Sequence, residues 1–260
     1  MNTLLKNCLL SLALATGLVA ATASYAAPAA DLKGTNVVLV HGAFADGSSW
    51  DKVVPLLEAR GLHVVAVQNP LSSLKDDVAA TRRVIEQQNG PVVLVGHSWG
   101  GTVITEAGND DKVKSLVYVA AFAPDNGQSV NDLVKGLPAP AWASDLQKDS
   151  GGFLTLSDAG IIHEFASDLP VAQARVVAAK QGPLFGGALD DKVTQAAWHS
   201  KPTWFVITGK DHMIDPRLQA SMAKQMGATV VKVDASHVAM ISQPEKVAAA
   251  IIAAAEKSKQ

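Results

Sequence analysis

The chain has 260 residues, 48% hydrophobic and 18% charged, with a formal net charge of −2. This balance suits a globular protein with one large domain, or a domain plus an insertion. The near-neutral charge and the absence of Lys/Arg runs exclude an electrostatic surface for nucleic acid.

Lys6 precedes the apolar run 8–21, and Ala23-Ser24-Tyr25-Ala26-Ala27 offers small residues for cleavage. This pattern predicts a signal peptide over residues 1–27, export to a periplasm or the cell exterior, and a mature domain over 28–260. The alternative is an uncleaved anchor, but the run falls short of the ~20 residues that a spanning helix needs. No stable membrane association is expected after cleavage. Cys8 is the only cysteine. The mature protein is therefore expected to lack a disulfide, a cysteine nucleophile and a thiolate metal site.

Along the mature chain, residues 37–40, 63–67, 91–95, 116–120, 203–208 and 229–233 are short apolar runs without polar alternation. Each reads as a strand buried on both faces. Helical spacing appears between them. Trp50, Val53, Val54 and Leu57 mark one helix, Val78, Val84 and Ile85 another, and an alanine-rich stretch follows Pro244. The alternation predicts an α/β fold with a mostly parallel sheet and helices on both faces. Residues 125–200 break the rhythm with Gly, Pro and Ser clusters and a helix-like piece at 171–181. This segment is expected to be an insertion over the carboxyl ends of the strands, where open α/β sheets bind ligands.

The chemistry centres on Gly96-His97-Ser98-Trp99-Gly100-Gly101, between an apolar run and a helix-like stretch. Such a G-x-S-x-G turn holds its serine in a strained conformation, and the flanking glycines let strand and helix approach. Ser98 is thus the candidate nucleophile, and it needs a base and an orienting acid. His237 follows the last strand on a loop at the same sheet edge and is the candidate base. Asp211, soonest after the strand 203–208, is the candidate acid. Asp215 and Asp125 are the alternatives, and Asp215 also reads as an N-cap before Pro216. For the oxyanion, the candidate donors are the N–H of Trp99 and that of Ala43, with Phe44 as the alternative. His41 is expected to order the loop after the first strand. His97 is expected to point away from the nucleophile and pack. Phe44, Trp99, Trp142, Phe153 and Phe165, with Phe185, are the candidate pocket residues, and as a group they suggest a small apolar ester. No H-E-x-x-H, Cys/His cluster, G-x-G-x-x-G after a strand or Walker sequence occurs, so neither metal nor cofactor is expected.

These residues resemble the α/β-hydrolases, in particular the subgroup of plant methyl-ester esterases and hydroxynitrile lyases with their bacterial relatives. The resemblance rests on His41-Gly42-Ala43-Phe44 with Trp50, the 96–101 turn, Asp211 and Ser236-His237, and it covers residues 36–254. It implies a sheet of about six strands and a helical cap over about 125–200. It also implies a serine carboxylesterase acting without a cofactor on a small-molecule ester. The lyases of this subgroup carry lysine directly after the catalytic histidine and threonine at the second loop position. This chain has Val238 and Gly42 there. Both departures favour hydrolysis. Lyase, perhydrolase or C–C bond chemistry, and a non-catalytic ligand-binding relative, are the alternatives.

Overall fold

The structure, a computed structural model, describes residues 31–259; the expected leader with Cys8 lies outside them. In chain order the strands are β1 (Asn36–Val40), β2 (His63–Val67), β3 (Val92–His97), β4 (Val113–Val119), β5 (Leu146–Lys148), β6 (Phe153–Leu156), β7 (Leu184–Phe185), β8 (Thr203–Thr208) and β9 (Thr229–Val233). Six of them form one sheet in the order β2-β1-β3-β4-β8-β9, parallel throughout. β1, β3 and β8 are buried along their whole length, as their unbroken apolar runs demand. The edge strands β2 and β9 differ from expectation and expose several residues. An edge strand has a neighbour on one side only, so water reaches it.

The helices are α1 (Val54–Glu58), α2 (Leu74–Glu86), α3 (Trp99–Ala107), α4 (Val130–Val134), α5 (Asp158–Gly160), α6 (Val171–Ala179), α7 (Pro216–Gln225), α8 (Ala239–Ser242) and α9 (Pro244–Lys257). α2 starts where Ser73 accepts from the Asp76 N–H, and it buries Leu74, Val78 and Ile85. α9 starts at Pro244, whose missing N–H is no loss in a first turn, and it buries Val247, Ile251, Ala254 and Ala255. The chain moves one way along the sheet from β1 to β2 and the other way from β2 to β3. Right-handed crossovers therefore place α1 on one face and α2 and α3 on the other. The described residues contain no helix long and apolar enough to cross a membrane.

The segment between β4 and β8 is not purely helical. Alongside α4, α5 and α6 it holds a three-stranded antiparallel sheet, β5-β6-β7. The Gln181 side chain extends this sheet, accepting from the Leu156 N–H and donating to the Leu156 carbonyl, each at 2.9 Å. A side-chain amide here does the work of another strand residue, which lets strands of two to four residues persist.

Candidate active site

Because the six strands are parallel, the ends of β1, β3, β8 and β9 open onto one edge of the sheet. Ser98 sits between β3 and α3 with φ +52° and ψ −120°. A non-glycine residue rarely adopts such a backbone, and it persists only where its surroundings force it. Three glycines make the turn possible. A Cβ on Gly96 would strike the Gly100 carbonyl, one on Gly100 would lie 2.5 Å from the Val40 carbonyl, and one on Gly101 would strike the Phe122 carbonyl. The Ser98 carbonyl is held in turn by the N–H groups of Gly101 and Phe122.

Asp211 lies just past β8, buried, in a cage of donors. Its Oδ1 accepts from the N–H groups of Met213 and Ile214 at 2.8 and 3.0 Å. Its Oδ2 accepts from Thr208 Oγ1 and Gln219 Nε2, both at 2.8 Å, and from His237 Nδ1 at 2.8 Å. His237 is 1% exposed. The acid and base expected from the sequence are thus a hydrogen-bonded pair. The alternative acids lie elsewhere. Asp215 caps α7 by accepting from the Arg217 N–H. Asp125 pairs with His199 at 2.7 Å where the insertion leaves and rejoins the core. Gln219 is a further site residue, one that no motif or spacing marks. It sits on the helix after β8 and bridges Asp211 and the Thr208 N–H.

Two further histidines flank the pair. His41 Nε2 accepts from the Asn69 N–H at 3.0 Å, so its Nδ1 carries the proton and donates to the Gly42 carbonyl at 2.8 Å. His41 orders the loop after β1, as expected. Burial holds its pKa below the ordinary histidine value. His97 is buried and packs, as expected. Its ring lies 4.6 Å from the His237 ring, and its Nε2 donates to the His237 carbonyl at 3.0 Å. Burial, followed by the neighbouring His237, keeps His97 well below the ordinary histidine range. Its Nδ1 is buried without a partner.

Among the candidate oxyanion donors, the Phe44 N–H is occupied by the Gly182 carbonyl at 3.1 Å. Phe44 itself has φ +58°. No such bond occupies the N–H of Ala43 or of Trp99. The Trp99 indole is turned towards α2. It is 1% exposed, and its Nε1 donates to buried Asp77 on α2 at 2.7 Å. Burial raises the Asp77 carboxyl to about 6 against the two hydrogen bonds, from Trp99 and from the Leu71 N–H, that lower it.

The candidate pocket residues divide. Phe165 ends a π-helical turn (Ile161–Phe165) and packs edge-on to His237 at 5.1 Å and to Phe44 at 6.4 Å. Trp142 donates to the Met213 carbonyl, two residues past Asp211. Phe153 is not brought to the site. It pairs with Phe185 at 5.5 Å within the small sheet of the insertion, because β6 and β7 align them as cross-strand neighbours. Among the described residues, no group of three or more His, Cys, Asp or Glu side chains is placed to hold a metal ion.

The sequence model of the alpha/beta hydrolase family matches residues 37–250. Methylesterase 8 of Arabidopsis thaliana is 24% identical over 242 residues, covering 85% of this chain and 89% of the relative. The alpha-hydroxynitrile lyase of the same plant is 26% identical over 238 residues, covering 80% and 92%. The crystal structure of a pyrethroid hydrolase from Sphingobium faniae JZ-2 superposes with a TM-score of 0.72 at 23% identity, covering 85% of this chain and 97% of that one. A strained serine turn after a central strand, and a buried aspartate–histidine pair past the last two strands, agree with this likeness: the chain belongs to the alpha/beta hydrolase family.

Proposed function

We propose that the protein is a serine carboxylesterase that cleaves a small, apolar ester through an acyl-enzyme. The observation that carries this reading is the conjunction of Ser98 at φ +52° with the His237–Asp211 pair at 2.8 Å on one edge of the sheet. Ser98 Oγ attacks the ester carbonyl while His237 Nε2 takes its proton. Asp211 holds the proton on Nδ1 and balances the imidazolium that forms. The N–H groups of Ala43 and Trp99 stabilise the tetrahedral oxyanion. Losing one such donor typically costs about 2.7–4 kcal/mol of transition-state stabilisation. His237 then protonates the departing alkoxide, and water, deprotonated by the same imidazole, releases the acid and restores Ser98.

Phe165, edge-on to His237, and Phe44, edge-on to Phe165, support an apolar substrate. The family includes relatives named as an esterase and as a lyase at similar identity, so membership does not separate the two chemistries. Two residues favour hydrolysis. Val238 is 1% exposed, a setting that would desolvate the lysine of the lyases. A Cβ on Gly42 would lie 2.7 Å from Ser98 Cβ, so the threonine of the lyases requires a different loop. Ser98→Ala is expected to abolish hydrolysis of short p-nitrophenyl esters and labelling by a serine-directed fluorophosphonate. Full turnover in that variant would refute the reading. The leader-like pattern over residues 1–27 supports export to a periplasm or the exterior. N-terminal sequencing of protein recovered outside the cytoplasm tests it.

A further inference from the structure

The loop that carries the base is gripped from the insertion. Ser236, directly before His237, is fully buried. Its N–H donates to Asp168 Oδ2 at 3.0 Å and its hydroxyl donates to Asp168 Oδ1. One carboxylate thus takes both polar hydrogens of the residue before the base. Asp168 lies three residues beyond Phe165, the ring that packs on His237. Glu164, on the other side of Phe165, receives His212 Nδ1 at 3.0 Å, and His212 directly follows Asp211. The same five-residue stretch of the insertion, Glu164 to Asp168, therefore holds the loops of both the base and the acid, with Phe165 between the two grips.

We propose that Asp168 is a positioning residue that sets the His237 imidazole from the insertion, so that the base is aligned only while the insertion is seated. The inference rests on the esterase reading for its kinetic consequence, though not for its structural one. The two donors of Ser236 are buried, and burying a donor without a partner costs free energy. Without Asp168 the Ser236 backbone must turn to find water, and the adjoining His237 turns with it. Asp168 is itself solvent-exposed, so its replacement leaves no cavity in the core. The grip depends on acceptor geometry rather than charge. An asparagine can accept from the Ser236 N–H through its carbonyl oxygen and donate to Ser236 Oγ through its amide, since a serine hydroxyl both donates and accepts.

The experiment compares the full chain with Asp168→Ala, Asp168→Asn and Ser236→Ala by two readouts. The first is the low-field proton resonance of His237 Nδ1–H, which bonds to Asp211. The second is the kinetics of p-nitrophenyl acetate hydrolysis. In Asp168→Ala the resonance is expected to broaden through faster exchange. Its kcat is expected to fall about tenfold to a hundredfold, the range that displacing a catalytic group by up to an ångström produces, with KM little changed. Asp168→Asn is expected to restore both readouts, and Ser236→Ala to reproduce part of the loss. An unchanged resonance in Asp168→Ala, or an Asp168→Asn variant as impaired as Asp168→Ala, would overturn the proposal. If the parent protein fails to hydrolyse the ester while its resonance still depends on Asp168, the esterase reading fails and the positioning role stands.

Discussion

Replacing Gly42 by alanine tests the oxyanion loop with a single methyl group. That methyl would lie 2.7 Å from Ser98 Cβ, 3.0 Å from the His97 carbonyl oxygen and 3.1 Å from His97 Nδ1. All three neighbours are pinned. Ser98 is held at φ +52°, and the His97 ring is tied to the His237 carbonyl. Ordinary carbon–carbon contact begins at about 3.5 Å, so the loop must retreat by roughly 0.8 Å. That movement carries the adjoining Ala43 N–H away from the oxyanion. Complete loss of one donor costs about 10²–10³ in kcat, and a partial loss is expected to cost about 10². KM stays near its parent value, since the interaction is made only in the transition state. Overpacking of this kind destabilises by about 1–3 kcal/mol, which at about 2–4 °C per kcal/mol for a domain of this size leaves a folded protein. Steady-state hydrolysis of p-nitrophenyl acetate, read beside a thermal melt, makes the comparison. A variant within threefold of the parent kcat would refute the placement of the oxyanion site at Ala43.

Asp77 offers a test by pH. Its carboxyl is raised to about 6 by burial, so between about pH 4 and 6 the folded state holds a proton that the unfolded chain has released. Stability from this group is therefore greatest near pH 4 and declines as pH rises to about 6, by up to about 3 kcal/mol. Melting temperatures of the parent and of Asp77→Asn across that window should lose this slope in the variant. The variant should also be less stable than the parent by about 1–3 kcal/mol near pH 4, where the parent carboxyl is neutral, because its amide turns a donor towards either Leu71 or Trp99. Phe165→Ala removes a buried ring that touches both Phe44 and His237. It should cost about 3–5 kcal/mol at full burial and raise kcat/KM for p-nitrophenyl hexanoate relative to acetate. An unchanged ratio would place the acyl pocket elsewhere.

The residues that could be read from the sequence are those fixed by short-range pattern. The serine turn announces itself by glycine spacing, and Asp211 and His237 by standing just past apolar runs that could only be central or late strands of a parallel sheet. Ala43 and Trp99 are proposed as oxyanion donors on the same placement. What could not be read depended on side-chain direction or distant pairing. Phe153 and Phe165 are the same residue type in the same insertion, yet one meets Phe185 across a β-ladder and the other meets His237. The strands that separate their fates have four and two residues, too few to show a period. The Trp99 indole was drawn away by Asp77, a carboxylate 22 residues earlier. The grip of Asp168 on Ser236 spans 68 residues, and nothing local marks either partner.

Three buried histidines, His41, His97 and His237, stand at or past the strand ends at this edge of the sheet. His41 and His97 are both held below the ordinary histidine range by burial, and each has its tautomer fixed by a backbone group. Neither is placed to exchange protons in the reaction. This neutrality matters most for His97, whose ring lies 4.6 Å from His237. A charge there would oppose the imidazolium by about 4 kcal/mol at an effective dielectric constant near 20. In the proposed mechanism that opposition would fall on the step in which His237 takes the serine proton. Burial of His97 removes it, and the hydrogen bond to the His237 carbonyl keeps the base in place without adding a competing charge. In the proposed mechanism the charge that develops on His237 therefore faces Asp211, whose five hydrogen-bond donors hold the carboxylate in position throughout.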